Sequence, residues 1–141
     1  MFALEKGPSY TNSLFRCLVK WREEAVAACG DVEKMFNQVM LTERDQVFHR
    51  FLWRDGDESL PISIYQWMRL IFGDKPSPDL ATYAIRFLAD GEALNYPKGA
   101  GILKEKTYVD DVTFSDVNSE CVAEAIKEVD VILSKGNLEF Q

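Results

Sequence analysis

The sequence predicts an α+β fold in which helices pack on one side of a mainly antiparallel sheet. Helical and strand-like segments follow each other in an irregular order, and the apolar runs are short and bounded by turn residues. Hydrophobic residues make up 47% of the chain and charged residues 28%, a balance that supports a buried core and excludes a disordered tail. With 141 residues, we expect one domain over residues 1–141.

The first two predicted elements are a helix and a strand. Three good N-cap residues at 11–13 precede apolar residues at helical spacing, which predicts a helix that ends near Glu24. The uninterrupted apolar run 25–29 predicts a strand that is buried on both faces and stops at Gly30. Asp31 is therefore expected at the end of a buried strand.

A hairpin and a second helix are predicted next. Runs rich in aromatic and β-branched residues at 47–54 and 62–71 flank an Asp-Gly pair at 55–56, a typical hairpin turn. Ser77 is a good N-cap residue, and the Pro that follows it suits the first position of a helix. Apolar residues at helical spacing then predict a helix over 78–90.

The C-terminal third is predicted to contain two strands and a last helix. Gly and Pro mark 95–101 as a loop, and 102–108 and 112–115 are strand candidates. An apolar stripe at helical spacing predicts the last helix, with Gly136 just beyond its C-terminal end. Residues 137–141 resemble the start of another strand.

Charge and cysteine content restrict the function classes. The net charge of −7 predicts repulsion from a phosphate backbone unless basic residues cluster locally or come from other segments. Three cysteines without a C-x-x-C pair argue against a disulfide framework and a zinc knuckle. No run approaches the roughly 20 apolar residues of a bilayer span. We therefore expect a cytoplasmic protein without membrane contact.

Three carboxylates are the candidates for chemistry. Asp110 and Asp111 lie between two predicted strands, and adjacent central strands would bring them next to Asp31. Converging carboxylates suit Mg²⁺, and two such ions about 3.5–4 Å apart stabilise the attacking and leaving oxygens of a phosphoryl transfer. Asp pairs are also common in ordinary turns, so the pair alone is explained equally well without a metal.

The motifs around these carboxylates resemble those of reverse transcriptases. Residues 108–111 (Tyr-Val-Asp-Asp) look like the aromatic-x-Asp-Asp motif of that family. Residues 31–36 (Asp-Val-Glu-Lys-Met-Phe) look like the earlier palm motif, in which an aromatic residue follows the Asp by five positions. Residues 72–78 (Phe-Gly-Asp-Lys-Pro-Ser-Pro) resemble the third motif, an aromatic-Gly loop that leads into Ser-Pro and a helix. The three motifs occur in the family's order.

The surrounding sequence is similar to the Bel/Pao class of long-terminal-repeat retrotransposons. The similarity includes Gly7-Pro8, residues 12–14 (Asn-Ser-Leu) and residues 50–55 (Arg-Phe-Leu-Trp-Arg-Asp), and it covers nearly the whole chain. The resemblance implies a polymerase palm-like antiparallel sheet with a partial fingers hairpin. It implies RNA-directed DNA polymerase activity, in which a primer 3′-OH attacks a dNTP.

The resemblance also assigns roles to individual residues. Asp31, Asp110 and Asp111 match the catalytic carboxylates that bind two Mg²⁺ ions, with Mn²⁺ as an alternative. The implied nucleotide-binding residues are Phe36, Phe72, Gly73 and Tyr108. Phe36 matches the aromatic gate that excludes a 2′-hydroxyl, and Phe72-Gly73 matches the loop beneath the nucleotide and template base. A buried core position is the alternative for Phe36, and simple helix capping is the favoured role for Ser77.

The implied partners are an RNA/DNA template-primer, dNTPs, and the fingers, thumb and ribonuclease H segments of a larger polyprotein, in the cytoplasm or in virus-like particles. We expect the chain to be a palm excised from that polyprotein and to lack polymerase activity alone. One alternative is a catalytically inactive remnant or co-opted protein-interaction module. Another is a small metal-dependent nuclease or phosphatase, which leaves the 72–78 motif unexplained.

Two weaker patterns lie in the predicted hairpin. His49, the only histidine, falls in a strand candidate and is expected to be a surface or satisfied side chain. Trp53, Tyr65 and Trp67 alternate with polar and basic residues, which is typical of a face that binds a nucleic-acid strand. Packing of that face in the core is the favoured interpretation.

Overall fold

The structure, a computed structural model, describes residues 4–141 and is built around an antiparallel sheet. Its helices and strands, in chain order, are α1 Leu14–Lys20, β1 Val26–Glu33, α2 Met35–Gln38, α3 Glu43–Gln46, β2 Arg50–Trp53, β3 Ser63–Gln66, α4 Ser77–Glu92, α5 Pro97–Glu105, β4 Thr107–Tyr108, β5 Asp111–Asp116, α6 Ser119–Ser134 and β6 Glu139–Phe140. Four strands form the sheet in the order β4-β5-β1-β6, and β2 pairs with β3 separately. The predicted α+β fold class is confirmed.

The core lies between one face of the sheet and three long helices. Val32 on β1 and Val112 and Phe114 on β5 point into this core. The helical residues that meet them are buried side chains of α4, α5 and α6, namely Ala81, Ile85, Ala89, Ala100, Leu103, Ala125, Val129, Ile132 and Leu133. Burial of these apolar surfaces contributes the main favourable term of folding. Within residues 4–141, none of the helices is both long and apolar enough to cross a bilayer.

The opposite face of the sheet is largely open, which corrects the prediction of a strand buried on both faces. Along β1, Ala27, Cys29 and Asp31 alternate with core residues and are exposed. Helix α1 covers only one end of this face, where the Ser115 hydroxyl donates to the Lys20 carbonyl at 3.0 Å. The small apolar side chains of the run made it look fully buried. The strand also extends past Asp31, and α1 ends earlier than predicted.

The β2–β3 hairpin is confirmed, but its strands are shorter than predicted. Asp55 and Gly56 both adopt positive φ, 53° and 75°, the pattern of a type I′ turn. This turn lies within a longer connection, because Trp53 pairs with Ser63. Both strands are exposed along their whole length, so the favoured core packing of the aromatic face is wrong for the described residues.

Helix α4 agrees with the prediction in extent and differs at its N terminus. The prediction that Ser77 caps the helix is wrong, because Ser77 lies in the first turn and Pro76 occupies the N-cap position. The Ser77 hydroxyl is buried and makes no hydrogen bond within residues 4–141. Leu80, Tyr83 and Phe87 are exposed and line an apolar groove of about 500 Å³.

The prediction of a loop at 95–101 and a strand at 102–108 is wrong over most of its length. Pro97–Glu105 forms α5, and of the predicted strand only Thr107 and Tyr108 belong to one. Pro97 occupies the first turn of α5, where its missing N–H costs nothing, and it begins the helix instead of marking a loop. Gly99 in α5 is explained by packing, since it lies against the backbone of α6.

Gly99 and Gly101 provide a matched test of this packing. A Cβ at Gly99 would lie 2.7 Å from the Glu128 Cβ and 2.9 Å from the Val129 nitrogen, whereas a Cβ at Gly101 meets nothing within 4 Å. We expect Gly99→Ala to lower the free energy of unfolding by about 1–3 kcal/mol. Gly101→Ala should raise it by roughly 0.5–1 kcal/mol, because Ala favours a helix over Gly. Urea denaturation of both variants checks this, and equal effects would contradict the close approach.

The C-terminal elements follow the prediction closely. Helix α6 buries Val122, Val129 and Leu133, and the following segment forms β6, which pairs with β1. Gly136 follows the C-cap Lys135, as predicted, but the positive φ of 55° belongs to Asn137. Asn tolerates this conformation because its short polar side chain bonds locally.

Candidate active site

The structure brings Asp31, Asp110 and Asp111 together at one end of the sheet. Asp31 on β1 is the direct register partner of Asp111 on β5, so both side chains lie on the same face. Asp110 precedes β5, and its carbonyl accepts a hydrogen bond of 3.0 Å from the Val32 N–H. One carboxylate oxygen from each of the three residues lies within 4.8 Å of the others.

The turn that presents Asp110 has a strained backbone. Tyr108 pairs with Asp111, so Val109 and Asp110 form a two-residue turn between β4 and β5. Val109 has a φ of 56°, which is unusual for a β-branched residue. Such conformations cost about 1–3 kcal/mol and persist only where the surroundings impose them. The position of Asp110 therefore depends on contacts that hold this turn.

Gln141, the residue after β6, pairs with Asp31 on the side of β1 opposite β5. The Asp31 N–H donates to the Gln141 carbonyl at 2.8 Å, and the Gln141 N–H donates to the Asp31 carbonyl at 3.0 Å. Gly30, the preceding residue, has no side chain where the Phe140 ring passes, and a Cβ there would lie 2.4 Å from the ring. Sequence reasoning missed these contacts, because no local pattern links residues so far apart in the chain.

The electrostatics of the cluster are unfavourable without a cation. Partial burial, together with the negative charges of Asp110, Asp111 and Glu33, raises the pKa of the Asp31 carboxyl. Carboxylate oxygens are the ligands that Mg²⁺ and Mn²⁺ accept, and a divalent ion would neutralise this repulsion. The three residues therefore fit a divalent metal by donor type, spacing and charge.

We expect Asp31→Asn to stabilise the metal-free chain. At neutral pH the substitution removes one of three mutually repelling charges, a gain of about 0.2–1 kcal/mol for partly exposed groups. Thermal unfolding in EDTA measures the gain, with Asp130→Asn on the exposed face of α6 as the matched control. Added MgCl₂ should raise the melting temperature of the unsubstituted chain and not that of Asp31→Asn. A destabilised Asp31→Asn variant would contradict the repulsion.

The four predicted nucleotide-binding residues occupy two places. Tyr108 is half-buried on β4, directly opposite Asp111. Phe36, on the short helix after β1, is only 6% exposed and belongs to the core cluster. Its ring packs against Phe72, with a centroid distance of 4.8 Å, and Phe72 is 68% exposed. Gly73 follows with a φ of 92°, a conformation that Gly adopts readily. Their roles toward a nucleotide stay predictions.

The loop after Gly73 lies against His49, the only histidine of the sequence. His49 is buried just before β2, and its Nδ1 lies 2.6 Å from Oδ2 of Asp74. Neither His49 Nδ1 nor Asp74 Oδ2 has a hydrogen-bond partner within residues 4–141, so the structure does not confirm the expected surface or satisfied histidine. His49 also precedes β2 and does not lie in the strand. Asp74 lies within the 72–78 motif, but no sequence pattern links it to His49, because His49 lies in another segment of the chain.

Comparison with known proteins supports the fold. An antiparallel sheet with helices on its inner face is consistent with a partial polymerase-like domain. A foamy viral protease-reverse transcriptase, solved in complex with an RNA/DNA hybrid, matches 93% of this chain with a TM-score of 0.70 and 21% sequence identity. The chain therefore has a reverse-transcriptase-like fold, and it spans 16% of that protein's length. No family model and no curated protein matches the sequence.

Proposed function

We propose that this chain is the palm and part of the fingers of an RNA-directed DNA polymerase from a Bel/Pao-type retrotransposon. The observation that supports this most directly is the convergence of Asp31, Asp110 and Asp111, whose carboxylate oxygens lie within 4.8 Å of one another. The order of the motifs around them and the reverse-transcriptase-like fold point to the same chemistry.

The three carboxylates would hold two Mg²⁺ ions, or Mn²⁺ in their place. Such ions would supply a lower pKa for a primer 3′-OH and would neutralise charge on the transferred phosphoryl group and the leaving pyrophosphate. The protein's part is to fix the ligands: Asp31 and Asp111 through strand pairing, and Asp110 through the turn. Their open face leaves room for a primer end and a triphosphate.

The remaining candidate residues are assigned to nucleotide binding. Phe36 would pack beneath the sugar and exclude a 2′-hydroxyl, supported by its position five residues after Asp31. Phe72 and Gly73 would lie under the base. The exposed ring of Phe72 and the lack of a side chain at Gly73 would allow the base to approach closely. Tyr108, opposite Asp111, would contact the nucleotide.

The complete enzyme would be larger than this chain. With a net charge of −7, residues 1–141 need basic segments from elsewhere to hold an RNA/DNA template-primer. We propose that the remaining fingers, the thumb and a ribonuclease H domain of the same polyprotein supply them, in the cytoplasm or in virus-like particles. In-line attack also demands positioning within about an ångström, so we expect residues 1–141 alone to be inactive.

Primer extension by the longer protein tests the proposal. A DNA primer annealed to an RNA template should be extended when dNTPs and Mg²⁺ are present, and not when EDTA replaces the metal. Cleavage of the nucleic acid without dNTPs, and no extension, would instead support the nuclease alternative. Neither reaction would contradict both enzymatic functions.

A protein-interaction module without catalysis is the second candidate. It is favoured by the β2–β3 hairpin, which exposes large apolar side chains on both faces, Leu52 and Ile64 on one and Trp53 and Tyr65 on the other. Titration of the folded 141-residue chain with Mn²⁺ and with an RNA/DNA hybrid discriminates the two candidates. Saturable Mn²⁺ binding supports the polymerase palm, whereas a folded chain that binds neither supports the module.

A further inference from the structure

Asn12 connects the N-terminal segment to the strand that carries the carboxylate turn. Its Nδ2 donates to the carbonyl of Thr107 at 2.7 Å and to the carbonyl of Lys104 at 3.1 Å. Its Oδ1 accepts from Nη2 of Arg86 on α4 at 2.8 Å. One amide therefore joins α4, the end of α5 and β4, immediately before the residues that form the turn.

The Thr107 carbonyl needs an external partner because β4 is an edge strand. Tyr108 and Asp111 flank the two-residue turn, and the Thr113 N–H donates to Lys106. In an antiparallel ladder the intervening pair, Thr107 and Val112, exchanges no hydrogen bonds, so the Thr107 carbonyl points away from β5. The Asn12 amide occupies this open edge and takes the place of a further strand.

We infer that Asn12 is a positioning residue for the Asp110–Asp111 turn, and that Arg86 orients its amide for this role. The inference rests on the proposed function, because it concerns the geometry of the same carboxylates. Val109 holds a strained φ of 56°, and β4 has only two residues to support it. The hydrogen bond to Thr107, two residues before Val109, fixes the strand that enters the turn.

Arg86 settles which way the Asn12 amide points. A guanidinium can only donate, so the atom that faces Nη2 is the oxygen, and the nitrogen is turned toward the two carbonyls. Asn12→Asp tests the two kinds of contact separately. It keeps an acceptor for Arg86 but replaces the amide donor by an oxygen that repels the carbonyls of Lys104 and Thr107. Asn12→Ala removes all three hydrogen bonds.

Mn²⁺ affinity of the full 141-residue chain, measured by the EPR signal of free Mn²⁺, tests the inference. We expect Asn12→Asp and Asn12→Ala to weaken Mn²⁺ binding about tenfold. This is the lower end of the loss in metal affinity that follows when residues supporting metal ligands are substituted. Asn95→Ala, at an exposed Asn, and Thr42→Ala, which removes the N-cap contact to Asp45, serve as controls. Thr42→Ala should lower the melting temperature without changing the affinity. If the Asn12 variants do not fold, the Mn²⁺ affinity of Arg86→Lys is measured instead. We expect this variant to lose less affinity than the Asn12 variants.

The outcomes separate this inference from the proposed function. If the unsubstituted chain binds Mn²⁺ and the folded Asn12 variants bind equally well, the inference is wrong and the metal site stands. If the unsubstituted chain binds no Mn²⁺, the proposed function fails for this chain. The positioning role of Asn12 is then tested by the amide resonances of Val109, Asp110 and Asp111 in ¹⁵N spectra. Shifts in Asn12→Asp but not in Asn95→Ala or Thr42→Ala support positioning of the turn, whereas unchanged resonances overturn it.

Discussion

Asp110→Asn in the longer protein is expected to reduce Mg²⁺-dependent primer extension by at least about 10³-fold. The substitution keeps the size of the side chain and removes one negative ligand, and a lost metal contact of about 4 kcal/mol in the transition state corresponds to that factor. Single-turnover extension of a DNA primer on an RNA template measures the effect. The loss should appear in the rate of nucleotide addition more than in template-primer binding.

Asp130→Asn is the matched control for this experiment. Asp130 is an exposed carboxylate on α6, which packs on the inner face of the sheet, away from the open face. We expect its substitution to leave the extension rate unchanged. Full extension by Asp110→Asn would refute the polymerase proposal, and an equal loss in both variants would indicate a general effect of charge.

Much of the candidate site could be predicted because its residues lie in short local motifs. Asp31 and Phe36 are five positions apart, and Asp110 and Asp111 are adjacent. The prediction that they converge needs one further assumption, that the two strands that carry them are neighbours. The pairing of β1 with β5, in which Asp31 lies opposite Asp111, confirms this assumption. Contacts such as Gln141 with Asp31 join distant segments through backbone atoms, which carry no side-chain signature in sequence.

The fold predictions were wrong where the residue type suggests one environment and the packing of the folded chain provides another. Gly99 indicates a loop by composition, yet it allows α5 to approach α6 closely and belongs to a helix. The strand β1 looked buried on both faces because Ala27 and Cys29 are apolar, although they face an open surface. The hairpin aromatics predicted a core face, but no other element covers them within residues 4–141.

The largest effect on stability is expected at Asp79, which is far from the carboxylate site in sequence. Asp79 is only 2% exposed, in the first turn of α4. Its Oδ1 accepts from the Tyr10 N–H at 2.7 Å, from the Thr11 N–H and hydroxyl, and from the Ser9 hydroxyl. Lys6 lies 3.5 Å from the other oxygen. These contacts hold residues 9–11, which directly precede Asn12, against the first turn of α4.

The ionised form of Asp79 is the one that the fold stabilises. Burial acts to raise the pKa of this carboxyl, but the hydrogen bonds from Tyr10, Thr11 and Ser9 and the charge of Lys6 outweigh it and hold the pKa below its usual value. A depressed pKa in the folded state contributes stability that is present above the unfolded pKa of about 3.9. That contribution is lost as the pH falls through the folded-state value.

We expect Asp79→Ala to lower the free energy of unfolding by about 2–4 kcal/mol at neutral pH, because several donors to a charged acceptor lose their partner. Asp79→Asn keeps one acceptor oxygen, so it should cost less, and its deficit should shrink as the pH falls below 4. Urea denaturation across this range measures both. Asp90→Ala on the same helix breaks only an exposed pair with Lys104 and should cost at most about 1 kcal/mol.

Asp79 and Asn12 are also expected to act together. Residues 9–11 are held by Asp79, and the next residue is Asn12, whose amide reaches Thr107 only while this segment is in place. The double variant Asp79→Ala/Asn12→Ala should therefore be less destabilised than the sum of the single variants, by about 0.5 kcal/mol or more. Additive losses would mean that each contact acts alone. Non-additive losses would link the buried carboxylate of α4 to the geometry of the Asp110–Asp111 turn.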